Sequence, residues 1–168
     1  MAKRAPGSFG KVVLRDVTES DLPIFFEQQR DSAANYMAGF TARDPSDKDA
    51  FMKHWAGILA DNTVIAKTVL LDGDVAGSVA SWVDATWLGK PEVTYWIGRE
   101  YWGKGVATRA LSSFLGQVRE RPIYARAAKD NIPSLRVLEK CGFTITGYDK
   151  GYANARAAEI EEALLELR

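Results

Sequence analysis

Residues Glu92 to Leu111 read EVTYWIGREYWGKGVATRAL. The first seven, EVTYWIG, have the β-branched and aromatic character of a buried strand. From Val106 onward the apolar residues recur at helical spacing, with Val106, Ala110, Leu111, Phe114, Leu115 and Val118 on one face. Between strand and helix lies Gly103-Lys104-Gly105, where an ordinary helix would start on a Ser, Thr, Asp or Asn cap. Two glycines at a helix start are costly unless something must come close to the backbone. A helix start offers unpaired N–H groups and the positive end of the dipole, so the group it suits is a phosphate. Thr108 adds a hydroxyl donor.

The chain around this stretch predicts one mixed α/β domain. Lys11 to Val17 reads as a strand. Leu22 to Arg30 reads as a helix with Pro23 in its first turn, after the capping run Thr18-Glu19-Ser20-Asp21. Asp31 to Pro45 reads as irregular. Ser46 is expected to cap a second helix with Phe51, Trp55, Ile58 and Leu59 on its apolar face. Val64–Leu71 and Val75–Val83 read as strands joined at Asp72-Gly73-Asp74, a hairpin signal. Glu92–Gly98 follows as a third, then the helix to Arg119, a strand over Pro122–Ala127, and a helix from Asn131 to Lys140 ended by Gly142. Phe143–Tyr148 and Glu159–Leu167 close the sheet. Residues 1–10 read as a flexible tail, and 11–168 as a single domain.

Composition narrows the function. In 168 residues, 22 lysines and arginines balance 22 acids, so no net charge draws the chain to nucleic acid or an anionic membrane. No apolar run is long enough for a membrane span, and no secretory signal is visible at the start. One cysteine, Cys141, and one histidine, His54, argue against a metal site of the zinc type and against a disulfide framework. Cys141 reads as a buried filler and His54 as a structural helix residue. The default setting is cytoplasmic. Trp82, Trp87, Trp96 and Trp102 read as core or pocket-wall aromatics.

Three phosphate motifs compete for the glycine turn. Gly98 to Lys104, GREYWGK, has P-loop spacing, but Gly105 stands where a magnesium-binding Ser or Thr belongs. A dinucleotide fingerprint starting at Gly103 ends on Thr108 instead of glycine. The third candidate draws on a second motif, DNIPSLRVLEKCGF, from Asp130 to Phe143. Together, the two motifs resemble the GNAT superfamily of acetyl-CoA-dependent N-acetyltransferases. They come nearest the branch that acetylates the N-terminal amine of ribosomal proteins. The resemblance covers about half the chain, and it implies a mixed, mostly antiparallel sheet of about seven strands flanked by about four helices.

It also implies roles. Gly103, Lys104, Gly105, Val106, Ala107 and Thr108 would hold the cofactor pyrophosphate. Trp96, Ile97 and Gly98 would pair with its pantetheine arm as an added strand, and Asn131 and Ser134 would touch the arm from the other side. Asn131 equally suits a helix cap, with Ser134 at the third helical position. Glu92 would be the base that deprotonates the amine, acting through water; as a bare residue it reads as a solvent-facing strand-end acid. Many members carry a tyrosine where this chain has Leu138, so Ser134 inherits the role of general acid, with Tyr95 and Tyr148 in reserve. Asn35, Tyr36, Met37 and Trp55 would wall the acceptor site. The expected activity is direct acetyl transfer from acetyl-CoA to a primary amine, on a protein N-terminus or a small molecule, by a monomer or homodimer. The alternative is a non-catalytic acyl-CoA-binding module, which Leu138 favours and Glu92 and Ser134 oppose.

Overall fold

The computed structural model describes residues 10–84 and 89–168. Trp87 and nearly all of the tail read over 1–10 lie outside them. One sheet holds β1 (Val12–Asp16), β2 (Ile65–Leu71), β3 (Asp74–Asp84), β4 (Lys90–Ile97), β5 (Ile123–Ala128), β6 (Thr144–Ala153) and β7 (Ala158–Leu167). Their spatial order is β1-β2-β3-β4-β5-β7-β6. Every neighbouring pair is antiparallel except β4 and β5. The helices are α1 (Leu22–Gln29), α2 (Ser32–Ala38), α3 (Lys48–Ala60), α4 (Val106–Gln117) and α5 (Ile132–Lys140). The sheet is the one expected, but the helices among the described residues number five, because part of the stretch read as irregular forms α2.

Side-chain alternation assigns the two faces. Val79, Val93, Ile97, Ile123, Ala125 and Leu165 point to the face covered by α4 and α5, where the predicted α4 stripe is buried in full. On the other face a smaller cluster of Leu22, Phe25 and Trp55 joins α1 to α3. The α3 stripe is only partly buried, and Leu59 faces solvent.

Local chemistry explains where the helices begin and end. Asp47, not Ser46, caps α3, its carboxylate accepting from Ala50 N–H at 3.0 Å. The Ser46 hydroxyl instead donates to Asp44 Oδ1 at 2.6 Å. Asp31 caps α2 in the same way at 2.8 Å. The Asp72-Gly73 turn has positive φ at both residues, 51° and 87°, which suits a two-residue hairpin loop. At the end of α5, Phe143 N–H returns to Leu138 C=O and Gly142 N–H to Glu139 C=O, with Gly142 at φ 96°. That is a Schellman closure, and Leu138 and Phe143, both buried, supply its apolar contact. Leu138 is thus a structural residue of the helix end.

One buried carboxylate ties the outer strands to α1. Asp21, 2% exposed, accepts two bonds from the Arg15 guanidinium at 2.7 and 2.8 Å, one from Thr68 Oγ1 at 2.7 Å and one from Thr18 N–H at 2.9 Å. The Arg15 fork, with the other donors, holds its carboxyl well below the usual aspartate range. A group whose folded pKa is depressed stabilises the fold above its unfolded value, about 3.9, and that contribution is lost as pH falls. Asp21→Asn should therefore cost about 1.5 to 3 kcal/mol in chemical denaturation at pH 7, since it removes the charge from a buried acceptor whose partner Arg15 is itself partly exposed. The gap to the wild type should narrow as the titration is carried into acid.

Candidate functional site

The centre of the molecule is an opening in the sheet. β4 and β5 pair at a single position, Glu92 with Tyr124, and then part, while each stays paired with its outer neighbour. Adjacent parallel strands that separate at their carboxyl ends make the crevice where open α/β sheets bind ligands. Which backbone groups face the gap follows from the ladder. Gly98 N–H donates to Ala76 C=O at 2.8 Å, on the β3 side. Backbone groups alternate sides along a strand, so Trp96 and Thr94 also turn theirs to β3, and Tyr95 and Ile97 turn theirs to the gap. The Gly98 N–H is thus committed to the sheet, and alternation turns that of Trp96 the same way. Ile97 remains, its C=O accepting from the Trp102 indole N–H at 2.8 Å. The Trp96 indole N–H donates to Gln28 C=O at 3.3 Å, on the other face.

Beyond the gap lies the glycine turn. Gly103 and Gly105 both have positive φ, 74° and 70°, which a side chain would strain. A Cβ built at Gly103 would meet nothing within 4 Å, so the turn presents open backbone. Gly105 opens α4 without a side-chain cap, whereas Asp31, Asp47 and Asn131 cap α2, α3 and α5. The first N–H groups of α4, on Val106, Ala107 and Thr108, are left to another acceptor, which a pyrophosphate would provide. From beneath, Arg109 gathers the loop: its guanidinium donates to Lys104 C=O at 3.1 Å and Gly105 C=O at 3.4 Å, and also to Gly10 C=O. The Lys104 ammonium sits 5.8 Å from the Tyr101 ring centroid. An uncapped helix, a side-chain-free turn and an unfilled strand edge in one line fit a long phosphate-bearing thioester cofactor.

On the α5 side of the gap, Asn131 is the cap of its helix, its Oδ1 accepting from Ser134 N–H at 3.3 Å. Ser134 Oγ lies 2.7 Å from the Tyr95 hydroxyl. Burial pushes the Tyr95 hydroxyl up to about 12, against the pull of the Ser134 hydrogen bond. The pair therefore stays protonated through the neutral range. Cys141, half-buried, donates its thiol to Thr108 C=O at 3.5 Å, and burial raises its pKa, as suits a packing residue. Tyr148, the other reserve acid, is exposed on β6 with Lys129 over its ring.

The opposite face of the gap holds charge. Glu92 is buried, not solvent-facing, and both its oxygens are gripped by Arg126, at 2.9 and 3.0 Å. Arg126 Nη1 also reaches Glu162 on β7 at 3.8 Å. Burial raises the Glu162 carboxyl above the ordinary glutamate range; Arg126 draws it partly back, and Glu92 and Asp149 add to the rise. Neither Arg126 nor Glu162 stands out in the sequence. Their signal is phase: Tyr124, Arg126 and Ala128 alternate onto the face of Glu92, and the β5–β7 register puts Glu162 opposite Ala128.

The acceptor-side residues divide. A cleft of about 410 Å³ opens between α2, residues 41–46 and the turn at 154–155, and Asn35 and Tyr36 line it with Arg30 and Arg43. Asn35 is mainly a brace, its amide donating to Gln29 C=O at 2.6 Å and Asp31 C=O at 2.9 Å. Met37 is absent from that lining; its C=O accepts from Arg156. Arg156, missed in the sequence, also stacks on Tyr36 at 4.3 Å and forks onto Asp130 at 2.8 and 2.9 Å. Trp55 is a correction. Its ring is buried between Phe25 and Phe51, with centroids 5.1 and 6.4 Å away, and it is absent from the lining of that cleft. Among the described residues no helix is long and apolar enough to cross a membrane, and no three His, Cys, Asp or Glu side chains are placed to hold a metal.

Comparison with known proteins agrees with this geometry. The chain is 28% identical over 83 residues to an uncharacterized N-acetyltransferase, p20, of Bacillus licheniformis. The match spans 47% of each protein, so the chain aligns with about half the length of that relative. Among solved structures, a spermidine N-acetyltransferase from Vibrio cholerae, in complex with CoA and spermine, superposes with a TM-score of 0.79 at 18% identity over 93% of this chain and 94% of the other. Mycobacterium smegmatis RimJ, in complex with a CoA disulfide, gives 0.79 at 23% identity over 94% and 82%. RimL, a ribosomal L7/L12 α-N-protein acetyltransferase bound to coenzyme A, gives 0.76 at 17% over 96% of each. At these identities the likeness is one of fold. The acetyltransferase (GNAT) domain model, in contrast, matches the sequence itself over residues 11–144, from β1 to the end of α5 and through both motifs, and the chain therefore belongs to the GNAT acetyltransferase domain family.

Proposed function

We propose that the chain transfers an acetyl group from acetyl-CoA to a primary amine within a ternary complex. The observation that carries this reading is the alignment of the uncapped glycine turn with the single-bridge opening between β4 and β5. Bound acetyl-CoA would supply an acetyl group activated as a thioester. The backbone of 103–108 would hold its pyrophosphate, and the gap-facing N–H groups of Tyr95 and Ile97 would pair with its arm and polarise the thioester carbonyl. Ser134, backed by Tyr95, would give the departing sulfur its proton. One carboxylate of the group around Arg126, which includes Glu92, would receive the proton of the acceptor ammonium.

The hydroxyl pair at the gap supports a transferase over a binding module, because it supplies what Leu138 in place of tyrosine would otherwise remove. For the acceptor, a spermidine enzyme and RimL, named as a ribosomal L7/L12 α-N-protein acetyltransferase, stand among the structural relatives. The cleft beside Tyr36 carries Arg30 and Arg43 as well as Asp44. A tricationic polyamine would meet those arginines unfavourably, which favours a protein N-terminus or a small amine bearing an acid group. The single free thiol suits a cytoplasmic setting.

The first test is calorimetric titration with acetyl-CoA, with ATP and magnesium as the control. Binding of acetyl-CoA alone is expected, and its failure with folded protein would overturn the reading. Gly103→Ala should weaken that binding by about tenfold or more, since it combines strain at positive φ with a methyl group in the phosphate path. In a thiol-release assay across an amine panel, Ser134→Ala should lower kcat by about 100-fold with little change in KM. Unchanged kinetics would remove Ser134 from proton transfer.

A further inference from the structure

Three carboxylates and one guanidinium share the face of the sheet opposite α4 and α5: Glu92 on β4, Arg126 on β5, Asp149 on β6 and Glu162 on β7. Lys90 stands at the near end, over the Tyr124 ring at 4.8 Å. The groups are not equivalent. Glu92 sits at the closed end of the gap, on the one residue pair that still joins β4 to β5. Its carboxylate is 6% exposed and both oxygens lie in the Arg126 fork. Protonating it would break a bidentate, charge-assisted pair and leave Arg126 without that counter-charge, a change that buried pairs resist.

Glu162 occupies the other end of the same guanidinium. It lies opposite Ala128, four residues further along β5 than Tyr124, or about 13 Å along the strand, where β4 and β5 have already parted. Its contact with Arg126 is a single approach of 3.8 Å, and among the described residues no hydrogen bond is made to its carboxylate. Its side chain is 14% exposed, so it keeps contact with solvent on the sheet face that carries Glu92 and Arg126. The Tyr95–Ser134 pair lies across the gap, on the α5 side. A proton could thus be removed on one face and delivered on the other without crossing.

We propose that Glu162 is the group that takes the proton of the acceptor ammonium, and that Arg126 and Glu92 are positioning residues that aim it at the gap. The inference rests on the acetyltransferase reading above. In this step an N–H bond of the ammonium breaks and its electron pair stays on nitrogen as the attacking lone pair. The proton forms an O–H bond on the Glu162 carboxylate and passes to solvent after the turnover. The surroundings suit a base. Burial and the neighbouring Glu92 and Asp149 charges make the carboxylate more basic than an ordinary glutamate, while Arg126 draws it partly back.

The test combines titration of the free protein with kinetics. Carbon-13 NMR of glutamate-labelled protein, with the Glu162 signal assigned from its loss in Glu162→Gln, should show that carboxyl titrating above the usual glutamate range. In thiol-release assays with acetyl-CoA and two acceptor probes, spermidine and an alanine-initiated peptide, Glu162→Gln should lower kcat/KM by about 100-fold at pH 7. The acidic limb of its pH profile should vanish. The deficit should shrink as pH rises toward the pKa of the amine, and Glu162→Asp should recover part of the rate. Acetyl-CoA binding by calorimetry should match the wild type, which separates lost chemistry from lost fold. An acidic limb that survives in Glu162→Gln and disappears in Glu92→Gln would overturn the proposal, as would a Glu162 carboxyl titrating below the ordinary range. Wild-type protein that neither binds acetyl-CoA nor transfers to either probe would sink the acetyltransferase reading, and this inference with it.

Discussion

The structure turns on one unfinished ladder. β4 and β5 are neighbours in a seven-stranded sheet, yet they share a single bridge at Glu92 and Tyr124. Each is held by its other partner, β4 by β3 over eight residue pairs and β5 by β7 over six, so the gap does not unravel the sheet. It turns the backbone of Tyr95 and the N–H of Ile97 toward the gap, while the Ile97 C=O is taken by the Trp102 indole. Strand N–H and C=O groups without a partner are costly in a protein interior, at roughly 1 to 3 kcal/mol each. A ligand that brings its own amides recovers that cost, and the pantetheine arm of coenzyme A is such a ligand. The same logic operates at the turn, where a helix begins on glycine and leaves its first N–H groups to a phosphate.

The gap also divides the chemistry by face. Tyr95 points to the α5 side and meets Ser134; Glu92, one strand residue out of phase, points to the other and meets Arg126. Alternation along β4 is enough to separate a protonated hydroxyl pair from a cluster of carboxylates. Burial pushes both groups upward. It holds Tyr95 protonated and makes Glu162 more basic than an ordinary glutamate. Neither group needs a histidine, and His54, the chain's one histidine, lies exposed on α3.

What could be read in the sequence was what is local. The strand–glycine–helix passage, the α4 stripe, the Asp72-Gly73 hairpin and the Asn131 start of α5 each depend on a few adjacent residues, and each stands where the sequence puts it. α2 escaped because seven residues of mixed polarity carry no clear period; its order comes from Asp31, Asn35 and the positive φ of Gly39. Trp55 fitted a pocket wall in sequence, yet an aromatic at helical spacing with Phe51 belongs more naturally to a core, and that is where it lies. Which of Trp96, Ile97 and Gly98 turns its N–H to the gap is not legible in the sequence, since only the β3–β4 register decides which way a strand's amides point. Arg126 and Glu162 are invisible for a different reason. They meet across 36 residues of chain through the β5–β7 pairing, and no short motif announces such a contact.

Leu138 shows how a missing motif residue can mislead. In sequence it marks a lost tyrosine and so a lost proton donor. In the structure it is the third residue from the end of α5, its carbonyl receives Phe143 N–H, and its side chain packs against the same phenylalanine. A hydroxyl is nonetheless present at the gap, contributed by Ser134 from the first turn of α5 and supported from β4 by Tyr95. The structure separates two demands along one helix: its end is closed by Leu138, Gly142 and Phe143, and its first turn places a protonated hydroxyl at the gap. A side chain committed to helix closure at position 138 does not leave the gap without a hydroxyl, because the two positions lie at opposite ends of α5.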